Sequence, residues 1–290
     1  MKKPKIIVVL GPTASGKTSL GAFLGKKLKG EIISADSRQV YRRLDLGTGK
    51  EKLEIPQHLI DIVQPEQRFT VAEWKKLADK SIAELLQRGV IPVIVGGTSL
   101  YIEALLKNYQ FGSQNLKLRS ELEKMSLKDL QKKLKQINPQ LEKEIESNNK
   151  RYIIRAIEKN ESENGVVVSN PLYDYILLTP KISRQKLYQQ IDKRVDDRMD
   201  EGMLKEVKDL VKTGISKDWL MSLGLEYRYL TKLVMGELSR EEAISKLKFD
   251  THSFARKQLA WWRRGNWPQE IKIIDSKKQA LSLAQKFLKD

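Results

Sequence analysis

Short apolar runs alternate with amphipathic stretches over the first 110 residues of the chain. Leu20, Leu24 and Leu28 share one face of a predicted helix, and a second helix begins at a capping box formed by Thr70 and Glu73. The apolar runs between the helices predict buried strands. They lie at residues 5–10, 31–37, 58–63 and 90–95. The alternation of strands and helices indicates an α/β fold with a parallel sheet flanked by helices.

The pattern changes after residue 110. No strand is predicted between residues 111 and 165, where segments rich in leucine, lysine and glutamate are typical of helices. A strand pattern returns at residues 173–179, and the chain from residue 183 onward is predicted to be mostly helical. The short apolar run at 166–168 has no assigned place in this scheme. The predicted domains are a core domain with a helical C-terminal part and a helical insertion domain, at residues 1–110 with 170–290 and at 111–169 respectively.

A glycine-rich loop follows the first predicted strand. It consists of Gly11, Pro12, Thr13, Ala14, Ser15, Gly16, Lys17 and Thr18. The segment fits the pattern G-x-x-x-x-G-K-[ST] of phosphate-binding loops, in which successive backbone N–H groups point at one anion. Lys17 adds a positive charge, and the hydroxyl of Thr18 can ligate a Mg²⁺ ion held by the same phosphates. The sequence therefore predicts a P-loop NTPase-like fold that binds a phosphate or diphosphate, by default that of ATP.

The chain is strongly basic. Its 290 residues carry 54 Lys and Arg against 37 Asp and Glu, which gives a net charge of +17. A polyanionic partner, above all a nucleic acid, accounts for this excess, and a generally basic composition that serves solubility is the alternative. There is no cysteine, which excludes disulfides and cysteine-based zinc sites, and the presence of only two histidines argues against a histidine-rich metal centre.

The hydropathy of the chain and its first residues indicate its cellular location. No apolar run approaches the roughly 20 residues that a membrane helix needs. Residues 1–4 lead directly into the first predicted strand, which leaves no room for a signal peptide. We therefore expect a cytoplasmic enzyme that binds no membrane and needs only Mg²⁺ as a cofactor.

Asp36 is the first candidate for chemistry outside the loop. It lies at the end of the second predicted strand, and strand ends at this edge of a doubly wound sheet face the ligand crevice. A carboxylate there can support a Mg²⁺ ion indirectly, as in many P-loop NTPases. It can equally act as a general base beside the anion. Its position in the sequence leaves both roles open.

Four segments carry a family resemblance. They are the loop at residues 11–18, Ser-Ala-Asp-Ser-Arg-Gln-Val-Tyr-Arg at 34–42, Gly-Gly-Thr-Ser-Leu-Tyr at 96–101 and Gln-Leu-Ala-Trp-Trp-Arg at 258–263. Together and in this order they resemble the tRNA dimethylallyltransferase family, also called tRNA isopentenyltransferases, in its bacterial type. The first three segments in combination are specific to that family, whereas the loop alone is not.

The resemblance implies a prenyl transfer. The loop would hold the diphosphate of dimethylallyl diphosphate instead of ATP, with Mg²⁺ near Thr18. The dimethylallyl group would go to N6 of adenosine 37 in tRNAs that read codons beginning with U. By similarity, Asp36 is the general base, Thr98 bridges substrate groups and Arg119 helps to neutralise the leaving diphosphate.

The same resemblance implies a set of tRNA contacts in a protein expected to act as a monomer. The extruded base would be contacted by Asp36, Ser37, Arg38 and Gln39. The anticodon stem-loop would be contacted by a basic helix containing Arg151, Tyr152, Ile153, Ile154 and Arg155. Tyr152 stands where the family usually has an arginine, so this position can stack or hydrogen-bond but brings no charge.

Three alternatives use the same loop differently. A nucleotide or small-molecule kinase would place ATP there, and an adenylate isopentenyltransferase would prenylate a free nucleotide. A non-catalytic RNA-binding protein would retain the loop without using it. The high net charge and the predicted helical insertion favour a macromolecular acceptor, and the intact Lys17, Thr18 and Asp36 favour catalysis.

Overall fold

The chain forms two compact units. The structure, a computed structural model, describes residues 2–111, 116–145, 148–161, 167–265, 267 and 269–290. The larger unit runs to Leu106 and resumes at Pro171, and the smaller unit is Lys107–Asn170. The boundaries expected from the sequence are residues 110 and 170.

A parallel sheet of six strands forms the centre of the larger unit. The strands along the chain are β1 (Lys5–Leu10), β2 (Gly30–Ser34), β3 (Gln57–His58), β4 (Ile91–Gly96), β5 (Tyr109–Gln110), β6 (Val167–Val168), β7 (Asp174–Pro180) and β8 (Ile271–Ile274). The sheet has the order β3, β2, β4, β1, β7, β8, and each neighbouring pair is parallel. The α/β class is confirmed, with β1 in the middle of the sheet.

Helices connect these strands and make up most of the C-terminal part. They are α1 (Lys17–Leu28), α2 (Val71–Gln87), α3 (Ser99–Leu106), α4 (Leu116–Lys124), α5 (Leu127–Ile137), α6 (Pro139–Glu144), α7 (Lys150–Glu161), α8 (Arg184–Asp200), α9 (Met203–Lys212), α10 (Lys217–Leu223), α11 (Leu225–Val234), α12 (Arg240–Arg264) and α13 (Lys277–Lys289). In the part of the chain that the structure describes, none of them combines the length and apolarity of a membrane-crossing helix. The predicted capping box at Thr70 and Glu73 is present at the start of α2.

Both faces of the sheet are covered. Ile6 and Val8 of β1 belong to a core to which α2, α3, α9, α11 and α12 contribute. Ile7 and Val9 point to the other face, into a core formed with α1 and α13. Because successive side chains of a strand face opposite sides, a central strand covered on both sides is apolar throughout. This burial explains why β1, β4 and β7 were recognisable as continuous apolar runs.

Two parts of the sheet differ from the sequence-based prediction. The run at 58–63 contributes only the last residue of β3, because Leu59 and Asp61 have positive φ angles of 62° and 57° that turn the chain. β8 was not predicted. It is a short edge strand whose Ile273 is 61% exposed, so it lacks the pattern of a buried strand.

The smaller unit contains α4 to α7 and has its own apolar core. Ile153 and Ile154 on α7 are 0% and 3% exposed and belong to this core. They were expected to contact tRNA, and this expectation is corrected for their side chains, which are buried. Arg151, Tyr152 and Arg155 on the same helix are exposed.

A two-stranded antiparallel ribbon joins the two ends of the smaller unit. Tyr109 of β5 lies opposite Val168 of β6, and β6 is part of the apolar run that the sequence left unassigned. The side chain of Asn108 donates a hydrogen bond to the carbonyl of Asn170 at 2.9 Å. The chain therefore enters and leaves this unit at adjacent points.

Candidate active site

The phosphate-binding loop joins β1 to α1 at the carboxyl edge of the sheet. Gly16 is the N-cap of α1 and has a φ of 83°, a left-handed conformation that glycine adopts without steric cost. Lys17 is the first residue of the helix. The N-terminus of α1 carries a partial positive charge and unpaired N–H groups, so the loop and the helix together form an anion site.

Asp36 follows β2 at the same edge of the sheet. Its Oδ1 atom accepts hydrogen bonds from the backbone N–H groups of Arg38 at 2.8 Å and Gln39 at 3.3 Å. Its Oδ2 atom accepts no hydrogen bond from the described residues. One oxygen therefore fixes the carboxylate on its own turn, and the other can receive a proton or a hydrogen bond from a ligand.

The ends of β2 and β4 are held close together. Thr98, which follows β4, accepts a hydrogen bond from the N–H of Ser37 at 3.0 Å, and its own N–H donates to the carbonyl of Ala35 at 3.2 Å. Gly96 permits this approach, because a Cβ atom there would lie 2.1 Å from the carbonyl oxygen of Ala35. The structure thus brings Thr98 to the turn that carries Asp36.

Gln258 connects the long helix α12 to two of these segments. Its Oε1 atom accepts a hydrogen bond from the N–H of Thr13 in the loop at 2.9 Å. Its Nε2 atom donates to the carbonyl of Gly97 at 2.9 Å. The side chain is 8% exposed, so both bonds lie away from solvent. Gln258 therefore fixes the distance between the phosphate-binding loop and the segment that leads to Thr98.

Three cationic side chains surround the loop. Burial lowers the pKa of Lys17 to about 8, although the nearby Asp36 carboxylate opposes this shift. Burial and the neighbouring charge of Arg198 lower the pKa of Arg194 to about 10, so its guanidinium stays charged at neutral pH. Arg194 donates a hydrogen bond to the hydroxyl of Thr13 at 2.5 Å. Grouping these charges is unfavourable without an anion, which indicates a multiply charged ligand.

A turn at residues 45–47 borders the site and is held by one carboxylate. Glu206 accepts hydrogen bonds from the N–H groups of Asp45, Leu46 and Gly47 at 2.9, 2.7 and 3.1 Å. It also accepts one from the hydroxyl of Tyr227 at 2.7 Å. Burial and the Glu206 charge raise the pKa of Tyr227 well above its usual value. The tyrosine therefore remains a neutral donor that locks the turn.

Two cavities share the loop. The smaller, of about 170 Å³, is lined by loop residues that include Thr13, Lys17 and Thr18, by Arg194 and Arg198, and by the carboxylates of Asp36 and Glu51. The larger, of about 370 Å³, adds aromatic side chains. These are Tyr227, Phe254 and Trp261. Both cavities are lined by Thr13, Lys17, Asp36, Thr48, Arg194 and Arg198. The site can therefore hold an anionic group in one cavity and a flat apolar group in the other, with Asp36 at their junction.

The structure brings most of the predicted site residues together. The loop, Thr98 and the turn of Asp36 to Gln39 lie at one edge of the sheet. Arg119 belongs instead to the smaller unit, where its guanidinium pairs with Glu158 at 2.8 Å and with Glu123 at 2.9 Å. Its predicted contact with a diphosphate stays a prediction.

Several groups of the site were not assigned to it from the sequence. Arg198 was not singled out from the sequence, although it lies four residues after Arg194 on α8 and shares one helix face with it, which was the available signal. Gln258 stood in a recognised segment without an assigned role. Trp262 is 5% exposed and belongs to the core, whereas Trp261 is 46% exposed and lines the larger cavity.

Fold and site together define an α/β protein with a P-loop-like fold, whose site has space for an anionic group beside an apolar one. The model of the IPP transferase family matches residues 39–265. The tRNA dimethylallyltransferase 1 of Geotalea uraniireducens is 42% identical over 265 residues, which cover 89% of this chain and 88% of that protein. The tRNA dimethylallyltransferase of Acetivibrio thermocellus is 39% identical over 281 residues, with 89% and 88% covered. The chain belongs to the IPP transferase family.

Two solved structures share the fold of this chain. The full-length tRNA isopentenylpyrophosphate transferase of Bacillus halodurans superposes with a TM-score of 0.74 at 33% identity, covering 99% of this chain and 96% of that one. A eukaryotic dimethylallyltransferase acting on tRNA superposes with a TM-score of 0.82 at 22% identity, covering 99% of this chain and 80% of that one. The second likeness shows the fold alone.

The lowered pKa of Lys17 predicts a pH-dependent affinity for diphosphate. The ammonium form binds the anion, so affinity should hold steady below pH 8 and fall by up to about tenfold per pH unit above it. Titration calorimetry with inorganic diphosphate would measure this. Lys17→Met should bind diphosphate weakly and should lack the loss of affinity that Lys17 causes above pH 8. Because the diphosphate ionises in the same way with both proteins, the curve of this variant serves as the correction for ionisation of the ligand. Parallel curves for the two proteins would contradict the prediction.

The bridge made by Gln258 predicts a stability effect. Gln258→Met keeps the length of the side chain but leaves the N–H of Thr13 and the carbonyl of Gly97 without partners. The free energy of unfolding should fall by about 1–3 kcal/mol, as judged by urea denaturation. Lys257→Met, at the exposed neighbouring position, should change it by no more than about 0.5 kcal/mol. Equal effects of the two substitutions would show that the bridge contributes nothing.

Proposed function

We propose that the protein transfers the dimethylallyl group of dimethylallyl diphosphate to N6 of adenosine 37 in tRNAs that read codons beginning with U. The single observation that carries this proposal is the pair of cavities with Asp36 at their junction. One is a phosphate-binding cavity of suitable size for a diphosphate. The other is partly aromatic and accommodates a prenyl tail and a nucleobase. The family membership and the names of the relatives support the same reaction.

The diphosphate is proposed to lie in the smaller cavity. There the N–H groups of the loop, Lys17, Arg194 and Arg198 surround it. Departure of a diphosphate from the allylic carbon places more negative charge on the leaving oxygen. Fixed cations and N–H dipoles that already point at this position stabilise the transition state without having to reorganise. Arg194 and Arg198 supply positive charge at this position, and the contact expected from Arg119 by resemblance stays a prediction.

Asp36 is proposed as the general base. As N6 of the adenine attacks the allylic carbon, the new N–C bond forms and the C–O bond to the diphosphate breaks, with the electron pair leaving on the diphosphate. The N6 proton goes to the Oδ2 atom of Asp36, whose Oδ1 atom is held by the N–H groups of Arg38 and Gln39. An exocyclic amine conjugated to its ring is a weak nucleophile, so both the base and the alignment matter.

The residues of the smaller cavity fit a Mg²⁺ ion that accompanies the donor. The hydroxyl of Thr18 lines the cavity together with the carboxylates of Glu51 and Asp36. Among the described residues, no group of three or more histidines and carboxylates could hold a metal alone. Mg²⁺ needs no such group when substrate phosphates provide most of its ligands. When bound, the ion neutralises part of the diphosphate charge.

The acceptor is proposed to be the anticodon stem-loop of tRNA, bound by a monomer. The net charge of +17 supports a polyanionic partner. The target base lies within a stack and must leave it to enter a cavity at the edge of a sheet. In the smaller unit, Arg151, Tyr152 and Arg155 present two charges and one aromatic ring on the exposed side of α7, which suits the backbone and bases of RNA.

A transfer assay tests this function. The protein, Mg²⁺ and dimethylallyl diphosphate labelled in the prenyl group are incubated with unmodified tRNA carrying A36-A37-A38 and, in parallel, with AMP. Label is expected in the tRNA alone, and it should be absent from a tRNA with G37. Label in AMP alone would indicate the free-nucleotide enzyme. Turnover of ATP without transfer of label would indicate a kinase.

Substitution of Asp36 tests its role as base. Asp36→Asn retains an oxygen that can accept the N–H groups of Arg38 and Gln39, but it cannot take the proton. The kcat of transfer should fall by about 10²- to 10⁴-fold, while the Kd for tRNA stays within about twofold. Asp209→Asn removes an equal charge at an exposed pair with Lys205 and should leave kcat unchanged. Near-normal turnover of Asp36→Asn would exclude the carboxylate as the base.

A further inference from the structure

Two arginines outside both cavities converge on one tyrosine hydroxyl. The Nε atom of Arg184, at the start of α8, donates to the hydroxyl of Tyr188 at 3.0 Å. The Nη1 atom of Arg256, on α12, donates to the same oxygen at 2.6 Å. Neither arginine lines the loop cavities. Two guanidinium groups from different helices are thus brought to a single point on the surface.

This arrangement lacks the carboxylate that usually accompanies grouped arginines. Within the described residues, neither Arg184 nor Arg256 takes part in an ion pair. The carboxylate of Asp192, also on α8, is bonded to His252 at 2.8 Å. Other cations of the same two helices are paired, since Lys193 contacts Asp197 and Lys248 contacts Asp196. Like charges placed together without a counterion favour binding of an anion.

The cluster is fixed in place by its aromatic members. The ring of Tyr188 stacks on that of His252, with centroids 4.0 Å apart and planes 5° apart. The guanidinium carbons of Arg184 and Arg256 lie 5.3 and 6.0 Å from the centre of the tyrosine ring. The bonds from Arg256 and then Arg184 lower the pKa of Tyr188. Each guanidinium uses one donor on the hydroxyl and retains the remaining N–H groups for a ligand.

The position of the cluster relates it to the active site. The apolar side of Tyr188 packs on a small core formed by Leu187, Ile191 and Ala255, and Ala14 of the phosphate-binding loop packs on the same core. Arg256 is followed on α12 by Lys257, which lines the larger cavity. An RNA whose base enters that cavity would have its backbone beside this helix.

We propose that Arg184 and Arg256, aligned by Tyr188, form a phosphate-binding site that holds a backbone phosphate of the RNA substrate. The inference rests on the proposed function in taking RNA as the acceptor. A phosphodiester presents two anionic oxygens, and two guanidinium groups that meet at one tyrosine hydroxyl can bind both. The other source of the same chemistry is the diphosphate of the donor or product. The experiment separates the two.

The test compares two doubly substituted proteins that lose the same charge. Arg184→Gln with Arg256→Gln removes the site. Lys193→Gln with Lys248→Gln removes two paired cations of the same helices and is the control.

The Kd for unmodified tRNA is measured over a range of salt concentrations, together with the KM for dimethylallyl diphosphate. The arginine variant should bind tRNA about tenfold more weakly and reduce the slope of log K against log salt by about one. The control should change the Kd by less than about threefold.

Further measurements distinguish the alignment of the two arginines by Tyr188 from their charge, and they identify the anion that is bound. Tyr188→Phe keeps the stacking and the charges but removes the shared hydroxyl, and it should weaken tRNA binding by about threefold. At saturating tRNA, the kcat and the KM for the donor should remain unchanged in all variants. A raised donor KM with an unchanged tRNA Kd would assign the site to diphosphate and overturn the RNA contact. Equal losses in the arginine and lysine variants would overturn the site itself.

The outcome for the unsubstituted protein distinguishes the two proposals. Transfer of label to tRNA by this protein, combined with normal tRNA affinity of the arginine variant, would reject the phosphate site and leave the proposed function intact. Absence of both tRNA binding and label transfer in the unsubstituted protein would reject the function, and the RNA contact with it.

Discussion

The active site depends on holding three positive charges around one loop in a partly buried space. Lys17, Arg194 and Arg198 line the same cavity, and the N-terminus of α1 adds its own partial charge. The sheet supplies partial compensation through Asp36, and burial lowers the pKa of Lys17 and of Arg194. The loop itself is tied to α12 through Gln258 and to α8 through the bond between Arg194 and Thr13. The surrounding helices therefore hold the positive charges close together, although these charges repel one another unless an anion lies between them.

The parts of the site that could be predicted are local in sequence or follow from sheet topology. The loop is one contiguous segment between β1 and α1, so its sequence motif is enough to specify its backbone conformation. Asp36 and Thr98 follow two neighbouring parallel strands, whose carboxyl ends meet at one edge. The central strands were recognisable because burial on both faces makes them apolar throughout.

The remaining parts depend on how distant segments pack. Gln258 bonds to a residue 245 positions away and Arg194 to one 181 positions away, and no local pattern specifies such pairs. The edge strand β8 is too short and exposed to have a buried-strand pattern. Ile153 and Ile154 were assigned to RNA contact by resemblance to a basic helix, although the amphipathic period of α7 directs them inward. The resemblance therefore located the helix, and its amphipathic period indicates which face is exposed.

The antiparallel ribbon of β5 and β6 has a consequence for how the protein can change over time. Because Tyr109 and Val168 pair directly, the chain leaves the larger unit and returns to it through neighbouring points, whatever the length of the segment between them. The cost of closing a longer segment rises only slowly with its length. Insertions or deletions between residues 111 and 166 can thus accumulate without shifting the register of β7 against β1. The helical unit can diversify as a module while the catalytic edge of the sheet stays the same.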